Sequence, residues 1–205
     1  MATARTGTKG VARAEREEQI LDQACRIFGE KGYVATSVAD IARAAGISKP
    51  LIYAYFDSKD GLHAACVERA GEIIVGEVER SAASGAVALD RALVTLDGIF
   101  TVLAPQPWLW PLAFDATVPP DSPAATTLAR YAERLHSLAL EGVGELLSLT
   151  GSEDAGDLDA LTTVWTSVFS SLVDWWIAHP DEPPEAMSQR CHRIFGAVFG
   201  TTALA

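Results

Sequence analysis

The chain has 205 residues, 49% of them hydrophobic, and a formal net charge of −11. That length holds a small domain plus a larger one sharing a core, and half-apolar composition excludes a disordered chain. The charge excludes non-specific nucleic-acid binding by the whole surface, yet it is unevenly spread: residues 1–60 carry nine basic against eight acidic side chains, the remainder seven against nineteen. All four lysines, Lys9, Lys31, Lys49 and Lys59, lie in that first part, so a locally basic end sits on an acidic carrier.

No apolar run reaches the roughly 18 residues of a membrane span, and no apolar stretch follows the basic start as in a secretory signal. No membrane partner is expected. Cys25, Cys66 and Cys191 are scattered without metal-ligand or CxxC spacing. They are expected to be small buried hydrophobes in a reducing cytoplasm, with no metal and no cofactor.

The predicted elements are all helical, about nine of them, because apolar residues recur at three and four and no segment alternates as a strand does. Residues 1–12 form a Thr/Gly/Ala-rich basic tail expected to be flexible. The first helix runs from Arg13 to Lys31 on a stripe of Ile20, Ala24, Ile27 and Phe28, and Gly32 stops it. Ser37 with Asp40 forms a capping-box start for a second helix over Val38–Ala45. Gly46 supplies a left-handed turn, Ile47 plugs it, and Ser48 caps a third helix, Lys49–Phe56, with Pro50 in its first turn. Ser58 caps a fourth helix through about Ser81, where Gly71 and Gly76 permit either bending or close packing.

Ser84-Gly85 then breaks the chain before a helix at about 86–104. Pro105 and Pro107 precede a short aromatic helix, Trp108–Ala116. Ser122-Pro123 starts a long helix to Leu149, a helix at about 157–178 follows, and Pro183-Pro184 opens a last one from Glu185 to Thr202.

Two short helices about a glycine turn make a helix-turn-helix, whose second helix presents its N-terminal residues to base edges in the major groove. Ala42 and Ala45 are small where the helices cross, and Ile47 and Ile52 pack the second on the first. Asp40-Ile41-Ala42, Ala45-Gly46-Ile47-Ser48-Lys49, Tyr53-Ala54-Tyr55-Phe56, and Ser58-Lys59 with Leu62 closely resemble the motif of the TetR family of transcriptional regulators. The likeness covers about residues 16–62.

The resemblance implies a three-helix DNA-binding domain over 13–57 and a helical ligand-sensing and dimerisation domain over 58–205. It implies a cytoplasmic homodimeric repressor, released from a palindromic double-stranded operator by a small apolar or aromatic effector. Thr36, Ser37, Ser48, Lys49, Pro50, Tyr53, Tyr55 and Lys59 are the DNA-binding candidates. Leu51 and Ala54 depart from the family pattern where phosphate contacts are usual, which shifts anchoring to the tail, Ser37, Tyr55 and Lys59.

Aromatic density marks the effector candidates Phe100, Trp108, Trp110, Phe114, Tyr131, Trp165 and Phe169, each equally compatible with plain core packing. The last two helices are apolar over more than one face and so must be buried on more than one. Trp175, Phe195, Val198 and Phe199 are the dimer candidates. The competing readings are a helical interaction module or ligand-binding protein without DNA binding, and an enzyme. The enzyme reading has no support in motifs: His63, His136, His179 and His192 are dispersed, with no HExxH, GxSxG or phosphate loop, so no catalytic residue is expected.

Overall fold

A computed structural model describes residues 12–199, the side chain of Phe199 excepted. The basic tail and the end of the last predicted helix therefore fall outside the described residues, as does any contact of the Phe199 side chain. Among the described residues nine helices and no strand are present: α1 (Arg13–Ala35), α2 (Val38–Ala44), α3 (Lys49–Phe56), α4 (Lys59–Ala82), α5 (Ala88–Leu103), α6 (Leu109–Ala113), α7 (Pro123–Ser148), α8 (Ala155–Ile177) and α9 (Pro184–Phe199). None of them is long and apolar enough to cross a membrane.

The local reasons are those of the residues. Ile20, Ala24 and Phe28 are buried along α1, and its regular path breaks at Gly32, whose φ of 76° only glycine adopts freely. Tyr33–Ala35 add a further turn before Thr36 leaves the helix. Ser37 caps α2, accepting the Asp40 N–H at 3.2 Å while its hydroxyl donates to the Asp40 carboxylate at 2.7 Å. Gly46 takes φ 65° between α2 and α3, and Ile47 and Ile52 pack inward there. Pro50 occupies the first turn of α3, where Ser48 holds the cap position by its backbone, without a side-chain cap bond. The α3–α4 link is tight. Asp57 takes φ 59°, and a Cβ on Gly61 would stand 2.3 Å from the Phe56 carbonyl oxygen.

One contiguous core joins the head, α1–α3, to the body. The connector α4 packs against α1, α3, α5, α6 and α7. Leu62 and Cys66 belong to the head's end of that core and Ile74 to the body's end, so α4 is part of both. Of the two readings of its glycines, close packing holds at Gly71, where a Cβ would lie 2.2 Å from the Tyr131 ring. Gly76 faces open space. All three cysteines are buried and unpaired by disulfides.

Candidate functional site

The head presents two unlike faces of α3. Ile52 and Phe56 are buried, on a helix that packs against α2 and α4, while Lys49, Pro50 and Tyr53 stand in solvent, Tyr53 at 43% exposure. Ser37 and Ser48 are exposed at the N-termini of α2 and α3. Tyr55 is half-buried, with the Arg13 guanidinium 5.2 Å above its ring, which ties the start of α1 to α3. Hydrogen bonds from the Ser37 hydroxyl and Arg43 hold the Asp40 carboxyl below its usual range.

Two of the eight DNA candidates point elsewhere. Thr36 is buried, and its hydroxyl reaches the Gly32 carbonyl at 2.8 Å and that of Ile27 at 3.3 Å, closing the C-terminal end of α1. Lys59 folds back over the head. Its ammonium donates to the Tyr33 carbonyl at 2.7 Å and lies 4.1 Å from that ring's centre, leaving two donors.

This turn is also where head and body meet. Tyr33 donates its hydroxyl to Asp60, which with burial pushes the phenol up to about 12. Its backbone N–H donates to Asp115, just beyond α6, at 3.2 Å. Burial raises the Asp115 carboxyl, but bonds from Thr117 and Tyr33 outweigh it and hold the group below its usual value. Beneath lies His63, 1% exposed, its ring 4.6 Å from Phe28 and 4.9 Å from Tyr33, with neither nitrogen hydrogen-bonded among the described residues. Burial is the largest cause of its pKa falling to about 4. Nothing in the sequence distinguished His63, Asp60 or Asp115 from ordinary helix and loop residues; only the spacing of His63 beside Leu62 on α4 hinted at an inward position.

A cavity of about 540 Å³ lies in the body between α4, α5, α6, α7 and α8. Four of the seven aromatic candidates, Trp110, Phe114, Trp165 and Phe169, line it. Trp110 is fixed by an indole bond to Asp174 at 2.8 Å and packs on Phe114 with ring centres 4.4 Å apart. The other three aromatic candidates lie elsewhere. Phe100 is fully buried against Trp176, 5.2 Å between centres. Trp108 sits at the α1–α6 crossing, where a Cβ on Gly29 would come 2.1 Å from its carbonyl oxygen, with Arg26 over its indole. Tyr131 lies across Gly71, its hydroxyl donating to Glu68 at 2.8 Å. Burial and that carboxylate push its pKa up to about 12. The aliphatic wall, including Ile74, Val78, Leu135 and Leu146, went unflagged because such residues are indistinguishable from core in a helical pattern.

At the far side of the body, Val164 (57% exposed), Val168 and Trp175 share one face of α8, and Ile194 and Val198 (68% exposed) one face of α9. Phe195 departs from its expected place. It is 3% exposed and packs on Trp165 inside the protomer, in register with buried Met187 and Cys191. Ile194, one residue earlier, faces outward instead.

Comparison with known proteins bears on the helix-turn-helix and on the fold. The family model for bacterial regulatory proteins, tetR family, matches residues 20–66. The transcriptional regulator BetI of Rhizobium meliloti is 31% identical over 146 residues, 68% of each chain. The transcriptional repressor ComR of Escherichia coli is 37% identical over 62 residues, which span 30% of each chain. Over the first curated relatives, the chain spans about a third of their length or less. A TetR-like regulator from Rhodococcus sp. RHA1 superimposes with a TM-score of 0.72 over 94% of this chain and all of that one, at 23% identity.

Proposed function

Because this chain belongs to the TetR family of bacterial regulatory proteins, we propose that it is a DNA-binding transcriptional regulator. In this reading it is a homodimeric repressor whose hold on a palindromic operator is released by a small, largely apolar effector. The observation that carries the DNA-binding part is α3 itself: Ile52 and Phe56 fix one side in the head core, and Lys49, Pro50 and Tyr53 are left free on the other. Lys49 and Tyr53 would meet base edges and phosphates, and the ring of Pro50 a thymine methyl. The exposed Ser37 and Ser48, and Tyr55 with Arg13 over its ring, would hold the backbone.

The effector reading rests on the cavity. Its volume is that of a small-molecule site, and its wall is shared by α4 and α6. Both reach the head, α4 by continuity into Leu62 and Cys66, and the end of α6 through the Asp115–Tyr33 bond. An effector acts only through its difference in affinity between two states. A hundredfold loss of operator affinity needs about 3 kcal/mol of such difference. The dimer reading rests on the exposed apolar faces of α8 and α9, which a second copy would cover about a two-fold axis. A single reading helix covers few base pairs, so two heads are needed for useful specificity.

Selection of bound duplexes from a random pool tests the proposal. Recovery of an inverted repeat with half-site centres about one helical turn apart is expected. Recovery of no common sequence would remove the DNA-binding reading and leave the chain a ligand-binding or interaction module.

A further inference from the structure

Resting on that effector reading, we infer that a ligand in the cavity acts on the reading helix through Asp115 and Tyr33, and not along α4. Both are positioning residues: neither lines the cavity, and neither stands on α3. The cavity wall gives at one place on α6. Trp110 is 4% exposed and pinned by its indole bond to Asp174. Phe114 is 45% exposed, and among the described rings it packs on Trp110 alone. The start of the helix is fixed too, since Trp108 crosses α1 at Gly29 with no room for a Cβ between them. A ligand that displaces Phe114 therefore passes the displacement to the next residue, Asp115.

The alternative path, α4, is gripped midway. Its cavity residues are Ile74, Val78 and Ala82, and its head residues Leu62 and Cys66. Between the two sets the Tyr131 ring of α7 lies against Gly71, leaving no space for a Cβ. The Tyr131 hydroxyl donates to Glu68 at 2.8 Å, on the head side of that crossing. A packed core resists sliding at such a contact, so a push at Ile74 or Val78 is absorbed by α7 before it reaches Leu62.

Asp115 has a clear line to α3. Its Oδ1 accepts the N–H and hydroxyl of Thr117 at 2.8 and 2.6 Å, which orients the carboxylate. Its Oδ2 accepts the Tyr33 N–H at 3.2 Å, a bond from a neutral donor to a charged acceptor. Tyr33 follows the break in α1 at Gly32, and Thr36 ties the far end of its turn to the Gly32 and Ile27 carbonyls. The Tyr33 end is the one that yields. The Tyr33 carbonyl accepts the Lys59 ammonium at 2.7 Å, and its hydroxyl donates to Asp60. Lys59 and Asp60 open α4 just beyond Phe56, the end of α3. A shift of Tyr33 thus tilts the corner that carries the reading helix.

A tethered apolar group stands in for the effector. Ser170, in the wall beside Phe169, is replaced in Ser170→Cys and coupled to hexyl methanethiosulfonate, the native cysteines being buried. Fluorescence anisotropy with the selected palindrome then compares this chain with and without its hexyl group. The group is expected to weaken operator binding about tenfold, within the usual range of allosteric coupling. Adding Asp115→Ala should bring that ratio close to one. A purely structural role for Asp115 would lower both affinities alike and leave the ratio as it was. Hydrogen exchange at the Tyr33 amide, expected to quicken once the group is attached, reads the same step without DNA and without Asp115→Ala. An undiminished ratio in Asp115→Ala, or a Tyr33 amide equally protected with and without the group, would overturn the inference and leave the effector reading intact. Operator affinity indifferent to the group in the chain that keeps Asp115 would remove both.

Discussion

His63 offers a perturbation whose size follows from its surroundings. The imidazole is buried between Phe28 and Tyr33 with both nitrogens unpartnered, and burial lowers its pKa from 6.5 to about 4. Asp115 and Asp60 pull that value up and Lys59 pushes it down, without offsetting the burial. A histidine whose folded pKa is depressed takes up its proton more readily when unfolded. Stability is therefore full above pH 6.5 and falls as the pH drops toward 4. At 1.36 kcal/mol per pH unit the loss across that window is about 3 kcal/mol. Asp115 titrates below this window, because its pKa is lowered from 3.8.

Urea unfolding at fixed protomer concentration, followed through that range, reads the loss directly. His63→Leu removes the titrating ring and its two orphan nitrogens. Those nitrogens cost about 1–3 kcal/mol, against about 0.5–1.5 kcal/mol of ring packing lost. The variant should therefore match or exceed the parent near neutrality and lose most of the pH slope. An unchanged slope in His63→Leu, or a folded-state NMR titration of His63 with its midpoint near 6.5, would refute the reasoning.

Other outcomes are equally specific. Gly71→Ala places a Cβ 2.2 Å from a Tyr131 ring that Glu68 holds in place, and should lower the urea midpoint by the equivalent of about 1–3 kcal/mol. Val198→Glu puts a charge in the exposed α9 face, and sedimentation should show monomers with the thermal unfolding of each protomer little changed. Phe195→Glu, by contrast, should fail to fold, since that ring lies inside the protomer against Trp165. Lys59→Met should lower head stability through loss of the Tyr33 contacts, with little change in the salt dependence of DNA binding.

The head was legible because its constraints are local. Gly46 is at φ 65° where a turn between two short helices demanded it, and Ser37 caps α2 through Asp40 as the spacing implied. What a side chain does after leaving such a motif was not legible. A Thr36 hydroxyl at a helix boundary serves either DNA or the preceding carbonyls, and only the path of α1 past Gly32 sends it to the latter. The body was less legible for the same reason in three dimensions. In α9 two apolar rows run side by side, Met187-Cys191-Phe195 and Ile194-Val198, and periodicity cannot say which meets the core. Four aromatics line the cavity and three fill crossings, because a ring at a helix crossing and a ring in a pocket wall obey one spacing rule. His63 and Asp115 were invisible, since residues 52 positions apart are brought to one turn by tertiary packing alone.

The central claim is that the exposed face of α3 reads DNA. Fluorescence anisotropy with the selected palindrome, at two salt concentrations, tests it on the parent chain, Tyr53→Ala and Lys49→Ala. Each variant is expected to lose about 1–3 kcal/mol of specific affinity, with Lys49→Ala also flattening the salt dependence. Parent-like binding by both variants, with their helical content unchanged, would contradict the assignment of α3 as the reading helix.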